Sequence, residues 1–398
     1  MPVINRVAAF KDEIAEIRRE LHQNPQTAYE ETFASDMVAE KLTAWGIPFK
    51  RGLAVTGIVA TIEGQKTDSG KAVGLRADMD ALDMTEKSGQ DWASKTPGKM
   101  HGCGHDGHTA ILLSTAKYLQ ETKNFNGKVH LIFQPAEEGA RGADRMMEDG
   151  LFGDFPMDEV YGLHNWPWLP LGKVEMRAGP LLANVDEFEI VITGKGGHAA
   201  YPQGTIDPAV VGAHLITALQ TIVSRSNTPT DPLVVSITNF QAGTGAFNVI
   251  GDTATLTGTV RSFSPANREM AKTRIHKICA GVAATFGAII TLPMYAFGTD
   301  ATINSAPETA FAAEIAAKIV GPENVSTNAD LCMGGEDFGS FLKHKPGCYI
   351  FMGQGVKDDT SPHNHGLHSP FYDFNDDLIP VASSYFAALV ETRLKLDK

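Results

Sequence analysis

Apolar residues recur at helical spacing over 6–22 (Val7, Phe10, Ile14, Ile17, Leu21) and Pro25 closes the run, which predicts one helix. Ser35 is placed to cap a second helix that ends at Trp45. The period then shortens. The apolar runs 72–77, 128–134 and 160–163 read as strands, and 109–122 reads as a helix between the first two. Each strand delivers polar side chains just past its end: Asp78 and Asp80, then Glu137 and Glu138, then His164. In open α/β sheets that edge is where sites are built.

Around Asn184 the pattern changes to strand 185–193, helix 208–224, strands 233–240 and 253–263, helix 265–286 and strand 288–294. That order is β-α-β-β-α-β, the split βαβ or ferredoxin-like arrangement. Helix 308–319, helix 337–342, strand 348–352 and a last helix from Asp377 return to the earlier style. The expected fold class is therefore α/β: a catalytic domain with a mixed sheet flanked by helices, built from 1–183 and 297–398. An α+β domain, 184–296, is inserted into it.

Composition narrows the function. With 398 residues, 43% hydrophobic and 20% charged, the chain is an ordinary globular protein long enough for two domains. Its net charge is -13 and no basic run stands out, which argues against nucleic acid as a partner. The first 24 residues carry charges throughout and lack the apolar core of a signal peptide. The longest uncharged run, 280–298, is interrupted by Gly281, Gly287, Pro293 and Gly298, so it reads as helix end, turn and strand, and no membrane segment is expected. The four cysteines (Cys103, Cys279, Cys332, Cys348) show no paired spacing, which suits free thiols in a reducing cytoplasm. Cys332 and Cys348 read as buried small apolar residues.

Cys103 is different. From Met100 the chain reads M-H-G-C-G-H-D-G-H-T-A, with a thiol and imidazoles spaced by glycines. These are the ligands that zinc-like ions prefer, and glycine lets such a loop bend toward one centre. Taken singly, a loop His or Asp is a satisfied polar residue. Asp78, Asp80, Cys103, His105, Glu137, Glu138, His164 and His368 together are enough for two metals. Adjacent Glu137 and Glu138 diverge, so one can bind metal while the other serves as general base. His101 and His108 fit hydrogen-bond partners of the ligands. His363 and His365 rival His368, Glu336 borders the pocket, and His214 and His276 fall on helical patterns without an evident role. His198 lies too far along the chain to join the cluster, and Arg261 at a strand end suits a free carboxylate.

The segments M-H-G-C-G-H-D-G-H, P-A-E-E-G-A-R-G-A, L-H-N-W-P, G-K-G-G-H-A-A-Y-P, G-T-V-R-S-F, M-G-G-E-D-F and L-H-S-P-F-Y-D-F-N-D resemble, in order, one family. It is that of hippurate hydrolases, N-acyl-amino-acid amidohydrolases and indoleacetyl-amino-acid hydrolases, related to di-metal aminoacylases and carboxypeptidases. The resemblance covers essentially the whole chain. It implies a di-metal exopeptidase-like fold, with Cys103, His105, Glu138, His164 and His368 as ligands to two divalent ions per subunit (zinc, manganese, cobalt or nickel). It also implies Glu137 as general base, Asp80 as a catalytic aspartate supporting the metals, and Asn248 and Arg261 as substrate contacts. The inserted domain would act as lid and dimerisation domain, with His198 reaching a partner's site to stabilise the oxyanion in a homodimer or higher homo-oligomer. The implied reaction is hydrolysis of an N-acyl or N-aroyl amino acid by metal-activated water. A dipeptidase, carboxypeptidase or narrow N-acetyl-amino-acid deacetylase is the same-class alternative, and a non-catalytic metal- or ligand-binding protein of the same fold is the different-class one. Asp83, Gly251 and Gly102 depart from the family pattern, and none is a proposed ligand.

Overall fold

The computed structural model describes residues 3–358 and 360–396. They form two compact units. The larger comprises the chain up to Leu181, Thr302–Asp330, and the chain from Asp337 onward; the smaller comprises Leu182–Ala301 and Leu331–Glu336.

The larger unit is built on an eight-stranded mixed sheet. Its order is Phe49–Leu53, Gly57–Glu63, Lys128–Gln134, Ala72–Asp78, Glu159–Pro170, Gly347–Gly355, Val174–Glu175 and Val325–Ser326. The central strands Lys128–Gln134, Ala72–Asp78, Glu159–Pro170 and Gly347–Gly355 run parallel. Such strands are covered on both faces, and Ala72–Asp78 is accordingly buried throughout. The helix His105–Thr122 packs on this sheet and on the last helix, Leu378–Arg393. Its residues are buried nearly all round, as expected of a helix inside a large core.

Several expected elements shift. The first helix is two, Asn5–Ala8 and Lys11–Gln23. At Phe10 the ladder tightens, its N–H reaching Val7 O at 3.1 Å, and it restarts with Ile14 N on Phe10 O. Ser35 is not a cap. The helix starts at Thr32, and Ser35 lies buried within it, donating to Thr56 O at 2.5 Å. The strand expected at 160–163 extends over Glu159–Pro170, so His164 sits inside it rather than beyond its end. The helix after Cys103 starts at His105, which places that residue in its first turn. Cys348 is buried, but Cys332 is only half-buried.

The smaller unit is a four-stranded antiparallel sheet ordered Leu233–Ala242, Thr253–Ser262, Asn184–Thr193 and Ile289–Phe297. Two helices, Pro208–Leu219 and Pro265–Phe286, share its core. The run expected as helix over 208–224 ends at Leu219 and continues as a π-helical turn, Ile222–Ser226. Phe286 ends the second helix, Gly287 takes a left-handed φ of 71°, and the strand begins at Ile289. No helix among the described residues is long and apolar enough to cross a membrane.

Candidate metal centre

Five segments of the larger unit converge near the ends of its parallel strands, those that carry Asp80, Cys103 with His105, Glu137 with Glu138, His164, and His368. The Ala72–Asp78 strand leads to Asp80, and a bridge between Leu82 and Met100 holds that stretch beside the Cys103 loop. Gly104 caps the His105 helix in the left-handed region, φ 92°, with Asn165 Oδ1 and Tyr372 Oη at 2.5 Å from where a Cβ would stand. Only glycine fits there. The Lys128–Gln134 strand leads to Glu137 and Glu138 through Ala136, whose φ of 58° is unusual for a non-glycine residue. Glu31 secures that bend by accepting from Ala136 N–H at 2.9 Å, as well as from Tyr29 N–H and Thr56 Oγ1. His368 also adopts a positive φ, 64°, with its N–H on Gly102 O at 2.8 Å. Strained backbone of this kind persists where surrounding contacts over-determine it, commonly at functional sites.

One ligand atom each from Cys103, His105 and His164 lies within 4.8 Å of the others; Cys103, Glu138 and His368 meet the same condition, as do His105, Glu137 and Glu138. The buried atoms fit a cation. His164 Nδ1 donates to Asn165 O at 2.8 Å, which leaves the Nε2 lone pair facing Cys103 Sγ, 3.4 Å away. Burial holds His164 well below its ordinary range, so it is the neutral ring a metal requires. His105 donates Nδ1–H to Asp80 Oδ1 at 3.1 Å, while its buried Nε2 has no hydrogen-bond partner among the described residues. Burial alone would lower His105, but Asp78, Asp80 and Glu138 outweigh it and raise it to about 10. The carboxylates thus call for positive charge at this point. Cys103 is pushed well above its ordinary value by burial and by Glu138, Glu137 and Asp78, so a thiolate here needs a cation beside it. Glu138 Oε1 is buried without a hydrogen bond among the described residues, although His368 Nε2 lies 3.1 Å away. Burial would raise Glu138, but His368 and His105 together lower it.

Asp80 ties the centre together. Its Oδ1 takes the His105 proton, and its Oδ2 accepts from Glu138 N–H at 2.8 Å. Asp78 does something else: its oxygens are held by His108 Nδ1 at 2.6 Å and by Arg76 Nη1 at 2.8 Å. His108 is committed at both nitrogens, with Nε2 2.8 Å from Asn165 Oδ1. Although Asp78, His105 and His108 also cluster, those bonds leave Asp78 and His108 as supports of the ligands. Glu137 is buried and accepts from Asp337 N–H at 3.4 Å.

Other candidates lie elsewhere. His101 is buried, held to about 4 by that burial, and its Nδ1 bonds nothing among the described residues. His363 Nδ1 contacts Asp373 O and His365 rests against Phe371, and neither joins a ligand cluster among the described residues. His198, Asn248 and Arg261 belong to the smaller unit. There His198 pairs with Val249 in a two-stranded ladder, and Ala199 N–H donates to Asn248 O. Arg261 is half-buried, burial lowers it, and it makes no ion pair among the described residues.

Sequence reasoning passed over Arg76, whose guanidinium bonds Gln134, Asp78 and Asp337 inside the sheet. The available signal was an arginine within the apolar run A-V-G-L-R-A-D, since a charge buried there requires partners. Asn165 was also missed; beside a histidine in a strand it carries no distinguishing sequence mark.

The model of peptidase family M20/M25/M40 matches residues 74–392. The chain is 38% identical to the hippurate hydrolase of Campylobacter jejuni, covering 99% of this chain and 100% of that one. It is 39% identical to IAA-amino acid hydrolase ILR1-like 4 of Arabidopsis thaliana, covering 98% and 87%. Among solved structures it resembles the Bacillus subtilis YXEP protein, a dinuclear metal binding peptidase from the M20 family, at 33% identity and a TM-score of 0.81, covering 98% and 99%. With a full-length match at this identity and a family model across most of its residues, the chain belongs to peptidase family M20/M25/M40.

Proposed function

We propose that the chain is a metal-dependent amidohydrolase that cleaves the amide of an N-acyl or N-aroyl amino acid to a carboxylate and a free amino acid. The observation that carries this reading is the convergence of buried ligand atoms of Cys103, His105 and His164, within 4.8 Å of one another, beside Glu137 and Glu138. The two relatives named for hydrolysing hippurate and IAA-amino acids supply the substrate class.

Cys103, His105, Glu138, His164 and His368 would hold two divalent ions, with zinc, manganese, cobalt and nickel all compatible with thiolate, imidazole and carboxylate. When bound, such ions supply Lewis acidity, lowering the pKa of water to about 7 and polarising a carbonyl oxygen. Glu137 accepts the proton of the attacking water and delivers it to the leaving amine nitrogen. Asp80 keeps His105 in the tautomer whose Nε2 faces inward. In the smaller unit, Arg261 and Asn248 hold the substrate carboxylate, and His198 donates to the developing oxyanion of a second copy's site. This assigns the smaller unit to lid and dimer formation in a homodimer. The four free cysteines accord with a cytoplasmic protein.

The test is Glu137→Gln in the metal-loaded enzyme, with hippurate, an N-acetyl amino acid and a dipeptide as substrates. Metal content should persist while kcat falls by at least ~10²-fold, the usual scale for loss of a general base. Loss of metal instead would exchange the roles of Glu137 and Glu138. Bound metal with no turnover of any of the three by the wild type would replace this reading with a non-catalytic one.

A further inference from the structure

The Glu159–Pro170 strand runs on past His164 to Pro170. Side chains alternate along a strand, so His164 and Trp166 share one face; the register slips after Trp166, and the ring contact between the two indoles places Trp168 beside Trp166. Asn165 takes the other, where it bonds Gln354 and Tyr372. Burial falls off along this run: His164 is buried, Trp166 half-buried and Trp168 exposed. The Trp166 ring stands edge-on to the His164 imidazole, with centroids 6.1 Å apart, and is stacked at 4.0 Å on Phe351. Trp168 follows at 4.8 Å from Trp166. Its ring also rests on Gly366, where a Cβ would approach it to 3.0 Å, two residues before His368. Trp168 therefore lies between the segments that carry His164 and His368, yet 59% of its surface is open. Leaving an indole so exposed forfeits hydrophobic free energy, and large exposed apolar surface beside a polar centre marks binding.

We infer that Trp166 and Trp168 form a shelf for the acyl side of the substrate and select an aromatic acyl group over acetyl. The inference rests on the amidohydrolase reading given above. A planar aryl ring can take the edge-to-face or offset geometry that indoles favour, and it covers far more of the shelf than a methyl group does. Phe351 holds Trp166 from behind, so the shelf is prepared before substrate arrives.

The test compares Trp168→Ala and Trp168→Phe with the wild type in the metal-loaded enzyme. Benzoylglycine and acetylglycine share a leaving group and differ only in acyl. In Trp168→Ala the ratio of their kcat/KM values should fall by about tenfold, and Trp168→Phe should restore most of it. An unchanged ratio overturns the shelf. So does an equal loss on both substrates with weaker metal binding, which would mean that the ring only props His368. A second readout needs no turnover. Saturation-transfer NMR with benzoate should show strong transfer to the ring protons in the wild type and little in Trp168→Ala; equal transfer in both overturns the proposal. If the wild type cleaves neither substrate, the functional reading fails, and benzoate transfer still decides the shelf.

Discussion

Replacing Asp80 with asparagine changes one atom and should disable the centre. Asp80 has two donors to satisfy, His105 Nδ1–H at 3.1 Å and Glu138 N–H at 2.8 Å. An asparagine side chain offers one acceptor oxygen and one NH2 group. If its oxygen keeps the Glu138 amide, its NH2 faces His105 Nδ1 and drives the ring proton to Nε2, the atom the metal needs. If it turns the other way, the buried Glu138 N–H loses its partner, at a cost of about 1–3 kcal/mol. Loss of such a partner behind a ligand typically lowers metal affinity ~10–100-fold, or about 1.4–2.7 kcal/mol, and the two figures agree. Asp80→Asn should therefore bind zinc ~10–100-fold more weakly than the wild type, by calorimetric titration of chelator-stripped protein. It should be at least as impaired as Asp80→Ala, where water can replace the lost acceptor. Neutralising Asp80 also weakens proton competition at His105, which the carboxylates hold at about 10. Repeating the titration at alkaline pH removes that opposing effect and should widen the gap. Wild-type affinity in Asp80→Asn, or clear superiority over Asp80→Ala, would refute the tautomer argument.

Cys103 as a metal-bound thiolate should resist alkylation in the loaded enzyme and react after chelation; equal labelling in both states would remove it from the ligand set. Burial holds His130 at about 4, against an ordinary 6.5, with Thr61 and the Pro156 carbonyl on its two ring nitrogens. The unfolded chain takes up a proton that the folded one refuses, so this contribution is full above about 6.5, falls as pH drops through that window, and levels off below about 4. At most about 3 kcal/mol is involved, and His130→Phe should lose less Tm than the wild type between neutral and mildly acidic pH. A parallel loss in both proteins would contradict it. Mixing His198→Ala with Glu137→Gln subunits should restore part of the activity if His198 serves a partner's site, because one site in each heterodimer keeps both residues; demonstrated exchange without recovery would place His198 outside that role.

The Lys128–Gln134 strand and the Pro265–Phe286 helix stand at the bounds expected from pattern alone. For the helix the reason is local: Ser264 Oγ accepts from Asn267 N–H, Pro265 opens it, and Gly287 ends it in the left-handed region. The concentration of thiol, imidazole and carboxylate along the chain was equally legible, because it is a matter of residue type and order, although His164 stands inside its strand rather than past its end. The polar edge strand Phe49–Leu53 was not, since Lys50 and Arg51 face solvent and leave no apolar alternation to read. Ser35 looked like a cap until Thr56, far along the chain, took its hydroxyl. Residue type left Asp78 and Asp80 as candidates two residues apart, and only the family resemblance singled out Asp80. Arg76 and His108 hold Asp78 among the supports, while Asp80 bridges His105 and Glu138. Propensity and period act over a few residues and survive in the sequence. The hydrogen bonds that set a tautomer, or take a carboxylate out of a ligand set, join atoms brought together only by the folded sheet.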